Sequence, residues 1–274
     1  MRLHANICLT LIHKIMKKSY FLLMFMLLPH LCNWADTKIE INGIKYSLFD
    51  NFGHGTAHVL SNEGKYTGDI SIPSTVRYNE KDYAVEQIYN SAFANCTGLT
   101  SISMPSIKKI NGNAFDNCSG LTTVEFSPNC TSIEPSAFRN CTNLISVKIP
   151  TSNLTILTCA FQGCKKLSDV ILGNADDTKG ISIARLAFES CENLKSVTFK
   201  NPTHLGERAF GACSQLQSVT YLKSEYMRTI GDGAFQGCYS LTDVTYDAFT
   251  SNSLTAQSET HLSKIALRLR ISMF

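Results

Sequence analysis

Apolar residues recur along this chain in blocks of fixed internal order. The most regular element is Ala-Phe-x-x-Cys, which begins at Ala92, Ala114, Ala137, Ala160, Ala187, Ala209 and Ala234. Aligned on Cys96, Cys118, Cys141, Cys164, Cys191, Cys213 and Cys238, the copies are spaced by 22, 23, 23, 27, 22 and 25 residues. Three residues after each Cys stands a Leu: Leu99, Leu121, Leu144, Leu167, Leu194, Leu216 and Leu241. Apolar residues follow six and eight positions after the Cys, from Ile102 and Met104 in the first copy to Val244 and Tyr246 in the last. Their alternation is that of a strand with one buried face. Four residues before each Ala-Phe comes another apolar position: Ile88, Ile110, Ile133, Ile156, Ile183, Leu205 and Ile230.

A unit of this length cannot bury its apolar side alone. Stacked in register, successive copies lay Leu on Leu, Val on Val and Phe on Phe, so stability becomes a nearest-neighbour property. The pattern therefore predicts a β-rich solenoid over residues 85–246, with short strands joined by short helical or irregular turns. Upstream, within residues 36–84, Ile39 to Phe49 and Gly68 to Val76 read as short strands separated by Gly-rich turns. They are expected to form an N-terminal β cap, because a bare terminal coil exposes unpaired backbone and an apolar face. After Tyr246 the phase is lost. The tail 247–274 ends in an alternating stretch from Lys264 that reads either as a closing strand or as a truncated end.

The block resembles the BspA-like leucine-rich repeat, whose unit runs approximately A-F-x-x-C-x-x-L-x-x-V-x-I-P. Ala137 to Pro150 (AFRNCTNLISVKIP) follows it closely, and the likeness extends over about residues 70–246. It implies a leucine-rich-repeat solenoid and the surface-adhesion role associated with that family, including attachment to host matrix proteins and to other cells.

Residues 1–35 differ from the rest. Arg2, Lys14, Lys17 and Lys18 are their only Lys, Arg, Asp or Glu residues, and Phe21 to Leu28 is continuous hydrocarbon. A basic stretch before a short apolar one is the pattern of a secretory signal peptide, here with cleavage expected after Ala35. The run is far short of the roughly 20 residues of a membrane-spanning helix, so no permanent span is expected. Loss of those four positive charges takes the formal net charge from +3 to −1. A near-neutral chain offers no general footprint for phosphates, which argues against nucleic acid as a partner.

Eleven cysteines in an exported chain raise the question of disulfides. Seven of them hold equivalent sites in successive coils, where parallel side chains make poor bridges. A structural ladder of buried thiols at Cys96, Cys118, Cys141, Cys164, Cys191, Cys213 and Cys238 is expected, with Cys130 also buried and Cys159 the better candidate for an exposed thiol. One Cys per coil does not converge as a zinc site requires. His54 and His58 read as loop residues, because Gly53 and Gly55 disfavour a helix that would pair them as ligands. Asp176 and Asp177 lack the regular oxygen spacing of a calcium loop and read, with residues 223–228, as a solvated insertion. No cofactor is implied, and no nucleophile elbow, phosphate loop or zinc helix occurs, so an enzyme is not expected. Asn-x-Ser/Thr triplets start at Asn95, Asn117, Asn129, Asn140 and Asn153. Four contain the repeat cysteine or Cys130 and follow from the repeat itself.

If positions three, six and eight after the Cys face inward, those five and seven after face solvent. The first column is Ser101, Thr123, Ser146, Asp169, Ser196, Ser218 and Asp243; the second is Ser103, Glu125, Lys148, Ile171, Thr198, Thr220 and Thr245. This hydroxyl-rich surface carries no aromatic ring for stacking on sugars or bases. The reading is a monomeric, secreted or cell-surface scaffold contacting an extracellular-matrix or cell-surface protein. The alternatives are a structural envelope scaffold without a host ligand and, far behind, a redox or hydrolytic enzyme.

Overall fold

The computed structural model describes residues 37–51, 54–63, 66–151, 153–173, 180–222, 229–246 and 270–273. The leader, the Asp176-Asp177 and 223–228 insertions and most of the tail lie outside the described residues.

Each coil runs through two strands joined by the Ala-Phe-x-x-Cys segment. The strands ending on the recurring Ile or Leu are β6 (Lys81–Ile88), β8 (Lys109–Ile110), β10 (Ser132–Ile133), β12 (Leu154–Ile156), β14 (Ile181–Ile183), β16 (Pro202–Leu205) and β18 (Thr229–Ile230). They pair in parallel, in chain order, into one sheet, here called the isoleucine sheet. The strands carrying the positions six and eight after the Cys, together with a flanking strand before the first of them and one after the last, form the valine face. Its first part is β4 (Gly68–Ser71), β7 (Leu99–Met104) and β9 (Thr123–Phe126); its second is β11 (Ser146–Ile149), β13 (Asp169–Leu172), β15 (Ser196–Lys200), β17 (Ser218–Leu222), β19 (Asp243–Tyr246) and β20 (Arg270–Met273). Among the described residues no ladder joins β9 to β11; the Ile145 N–H to Thr122 carbonyl bond, 3.2 Å, bridges the coils there.

At the N-terminal end, β1 (Thr37–Ile41), β2 (Ile44–Asn51) and β3 (His54–Val59) are antiparallel neighbours, and β3 pairs in parallel with β6. β5 (Thr75–Tyr78) folds back antiparallel on β6. His54 and His58 thus lie on a strand and not in a loop, a correction to the sequence reading. The β2–β3 hairpin pairing supplies hydrogen bonds that the flanking glycines do not prevent, and the His58 ring packs against Phe49 and Tyr89 with centroids 4.5 and 5.0 Å apart.

The turns between the two faces are irregular; no helix occurs among the described residues. The backbone geometry gives the reason. The residue before each Ala has positive φ (Ser91, Asn113, Ser136, Cys159, Leu186, Arg208, Gly233), and so does the residue before each Cys (Asn95, Asn117, Asn140, Gly163, Ser190, Ala212, Gly237). Two left-handed residues per turn interrupt any helical run. The position before the Cys is filled mainly by Asn and Gly, the residues that tolerate this conformation at least cost.

Between the faces lies one continuous core. Phe93, Phe115, Phe138, Phe161, Phe188 and Phe210 form a row of nearly parallel rings, with neighbouring centroids 4.7–5.0 Å apart and interplanar angles of 0–7°. Phe235 continues it at 5.6 Å, and Tyr66 begins it, 4.6 Å from Phe93 and tilted. The ring spacing is the spacing of hydrogen-bonded strands, so backbone pairing and ring packing satisfy each other in one register.

The cysteines lock the same register. Each Phe N–H donates to the Ala carbonyl of the next coil, at 2.6–2.8 Å from Phe93 to Phe210. In return the next coil's thiol donates to the Phe carbonyl: Cys118 to Phe93 (2.9 Å), Cys141 to Phe115 (3.2 Å), Cys164 to Phe138 (3.2 Å), Cys191 to Phe161 (3.3 Å), Cys213 to Phe188 (3.2 Å) and Cys238 to Phe210 (3.1 Å). The Phe93 carbonyl also accepts the Cys96 N–H of its own turn, 3.0 Å, so both its lone pairs are used. A valine would fill this site but leave that second lone pair dry. All nine described cysteines are unbridged. Burial pushes the Cys118 thiol up to about 12 and those of Cys141 and Cys164 well above the ordinary range. Cys159 is half-buried.

Three measurements check this account. Phe138→Ala, which empties the middle of the ring row, should destabilise the chain by about 3–5 kcal/mol in chemical denaturation, and Phe235→Ala at the end of the row by less. Ala212→Gly should raise stability by about 1 kcal/mol, because it removes a Cβ from a left-handed residue. With a thiol reagent at pH 8, Cys159 should react in the folded protein, whereas Cys118, Cys141 and Cys164 should react only after denaturation; early reaction of the latter would refute their burial.

Candidate functional site

The valine face presents at least two outward positions per strand from β7 to β17, because its strands are four to six residues long and place buried residues between them. In β9 the burial order is exposed, buried, exposed, buried, which sends Thr123 and Glu125 to solvent and Val124 and Phe126 inward. The same alternation holds in β11, β13, β15 and β17, and in β7 from Ser101 onward, after Thr100, which is also exposed. Glu125, Lys148 and Asp243 are exposed; Ser101, Ser103, Ser146, Asp169, Ile171, Ser196, Thr198, Ser218, Thr220 and Thr245 are half-buried by their neighbours in the sheet.

Strand register brings these residues into two groups. Ser101 pairs with Thr123 and Ser103 with Glu125 across β7 and β9. Ser146, Asp169, Ser196, Ser218 and Asp243 form one unbroken column across β11 to β19, beside Lys148, Ile171, Thr198, Thr220 and Thr245. The two groups are not joined by strand pairing, because the sheet is interrupted between β9 and β11.

Within each group the hydroxyls orient the carboxylates. Ser103 Oγ donates to Glu125 Oε2 at 2.6 Å, and Ser196 Oγ to Asp169 Oδ1 at 2.7 Å. The first column also gains a residue that the sequence reading missed. Asp69 on β4 lies in register with Ser101, and its Oδ1 accepts from Ser101 Oγ (2.6 Å) and Thr100 Oγ1 (2.7 Å). The Ser101 bond, and then the Thr100 bond, hold the Asp69 carboxyl below its usual range. Asp69 precedes the first Ala-Phe-x-x-Cys copy, so only the Gly-Asp-Ile-Ser-Ile-Pro likeness to the strand segment of the repeat could have revealed it. With Asp69, these columns carry four carboxylates and one ammonium, Lys148.

A second polar surface was also missed. On the isoleucine sheet, Gln87, Lys109, Ser132, Thr155, Ser182, His204 and Thr229 align one residue before each recurring Ile or Leu. The signal was present in the sequence at that fixed offset. With strands as short as two residues, this sheet presents little more than one such column, whereas the valine face presents two.

The turn edge is tied by ions and amides. Arg139 grips Asp116 with two bonds, Nε to Oδ1 at 2.9 Å and Nη2 to Oδ2 at 2.7 Å; Arg208 meets Glu189 at 2.8 Å. Asn140 donates to Asn117 (3.0 Å) and Asn117 to Asn95 (3.3 Å), an amide ladder along the left-handed positions. These groups are consumed in holding coil to coil. Among the described residues no three His, Cys, Asp or Glu side chains converge on a point that could hold a metal ion. Nor is any described helix long and apolar enough to cross a membrane.

Similarity to known proteins agrees with this architecture. The BspA type leucine-rich repeat region matches residues 69–181 and 176–272, in 6 copies. No curated protein sequence matches the chain. Among solved structures, a leucine-rich cell surface protein from Faecalibacterium prausnitzii A2-165 superposes with a TM-score of 0.58 at 25% identity, over 77% of this chain and 54% of that one. The chain thus spans about half the length of that protein. The leucine-rich repeat protein of T. pallidum superposes with a TM-score of 0.61 at 21% identity, over 87% of this chain and 100% of that one, a likeness of fold. With the repeat family matched across most of its length and the coil geometry in agreement, the chain belongs to the BspA type leucine-rich repeat family.

Proposed function

We propose that this chain is an exported, cell-surface protein-binding scaffold of adhesin-like character, and that its contact surface is the valine face. The observation that carries the proposal is the ordered array on that face: hydroxyls and carboxylates in register at strand spacing, with Ser103 aiming Glu125 and Ser196 aiming Asp169. A rigid, regularly spaced polar surface of this kind suits contact with another protein, because its donors and acceptors are preorganised and little side-chain freedom is lost on binding. The resemblance of the leader to a signal peptide, and the description of the F. prausnitzii relative as a cell surface protein, support placement outside the cell. A matrix or cell-surface protein is the partner class that the family resemblance favours.

One observation favours the second reading, a structural envelope scaffold without a host ligand. The hydroxyls of Ser103 and Ser196 are already bonded within the sheet, so the face is satisfied without a partner.

Binding to immobilised matrix proteins, measured for the parent and for Glu125→Lys with Asp169→Lys, separates the two readings. The proposal expects saturable binding that the double variant weakens by about tenfold or more, the equivalent of about 1.4 kcal/mol, while its melting temperature stays within a few degrees of the parent. Saturable binding that is indifferent to the double substitution would move the contact surface elsewhere, and no saturable binding to any of them would favour the scaffold.

A further inference from the structure

Among the described residues, the two faces of the solenoid do not end together on the N-terminal side. β3 and β4 are the two strands of one coil, since β3 pairs with β6 and β4 with β7, and Tyr66 between them packs on Phe93 as a repeat Phe would. On the isoleucine side, β2 and β1 continue the sheet two strands beyond β3. On the valine side the sheet stops at β4 among the described residues. At the usual strand spacing this offset leaves a notch about 10 Å deep beside β4.

The notch is a cavity of about 360 Å³. The β1–β2 turn at Asn42 and Gly43 overhangs it, Ile44 and Tyr66 form its apolar floor, and Asp69 and Ser71 lie along its β4 side. Tyr66 is fixed there, its hydroxyl donating to the Leu60 carbonyl and accepting from the Lys45 N–H, both at 3.0 Å.

The open side of β4 carries backbone hydrogen-bonding capacity. The Gly68 and Ile72 N–H groups point at β7, donating to the carbonyls of Gly98 (2.8 Å) and Ser103 (2.9 Å). Successive peptide groups of a strand point to opposite sides, which turns the N–H and C=O of Asp69 and Ser71 toward the notch. Asp69 is also the one charged residue among those lining it. Its Oδ1 is held by two hydroxyls, leaving Oδ2 for an incoming cation.

We infer that this notch is a strand-addition site: an extended polypeptide segment of another protein, bearing an apolar side chain next to a Lys or Arg, pairs with the open edge of β4. Main-chain bonds to Asp69 and Ser71 supply the pairing, the floor of Ile44 and Tyr66 takes the apolar side chain, and Asp69 selects the basic one. The site shares Asp69 with the first outward column of the valine face but pairs through the open backbone edge of β4, so loss of the peptide in Ser71→Pro distinguishes it from the function proposed above, which Glu125 and Asp169 test.

The test titrates the full chain with a short soluble peptide of alternating valine and lysine, read by fluorescence anisotropy. Two further probes are the same peptide with glutamate in place of lysine and one N-methylated on alternate residues. Saturable binding of the lysine peptide is expected, with about tenfold weaker binding of the glutamate peptide and none of the N-methylated one. Ser71→Pro deletes an outward N–H that no ladder uses, so the protein should keep its melting temperature and lose the peptide. Asp69→Asn should remove the preference for lysine over glutamate while retaining binding, a result that stands even if the proline variant fails to fold. Equal binding of the N-methylated peptide, undiminished binding by folded Ser71→Pro, or an absence of saturable binding would overturn the inference. So would concentration-dependent self-association that Ser71→Pro abolishes, which would make a second copy the occupant.

Discussion

From Phe93 to Phe210, each coil of this protein is held to the next by a reciprocal bond at its turn. The Phe N–H reaches forward to the Ala carbonyl of the following coil, and the following coil's Cys thiol reaches back to the Phe carbonyl. This exchange fixes the distance and register between turns at the point where the chain reverses and strand pairing is lost. The Phe rings then stack at the same spacing, and the strands on either side pair in parallel without slipping. Ring dispersion, thiol bonding and backbone pairing are distinct interactions, but all three demand the same translation from coil to coil, and that agreement makes a short unit foldable.

Uniform spacing also shapes the surface. Because each coil repeats the last, any outward side chain becomes a member of a column, and its nearest neighbours are the same position one coil away. Charge and hydroxyl groups are therefore distributed along lines, as with Ser196 and Asp169, and do not gather into a pocket. Such a geometry is poor at surrounding a small molecule and good at meeting an extended or flat partner. Where the repetition stops, the columns stop too. Among the described residues, the strand ladder of the valine face begins at β4 and is interrupted between β9 and β11.

A chain rich in cysteine can cross-link, yet the described cysteines are unbridged, and in six of them, from Cys118 to Cys238, the Sγ donates to the Phe carbonyl of the preceding coil. Burial keeps these thiols protonated, which is the form able to donate. The residue acts as a small apolar group with one weak donor, a combination that neither Ala nor Val offers.

The solenoid itself was legible in the sequence, because the period and the five or six recurrent apolar positions state which residues share an interior. The alternation after each Cys likewise determined which side chains leave the valine face, from Ser101 to Thr245. The shape of the turn was not legible: Leu186 and Arg208 adopt positive φ although their own preferences oppose it, since the forward bond of the turn imposes it. Register between strands that are distant in sequence was decided only by the fold, and so Asp69 joined the column of Ser101 and the valine face broke between β9 and β11. A repeat pattern encodes local contacts that every copy makes alike. What happens at ends and interruptions depends on unequal neighbours, which no single copy of the pattern contains.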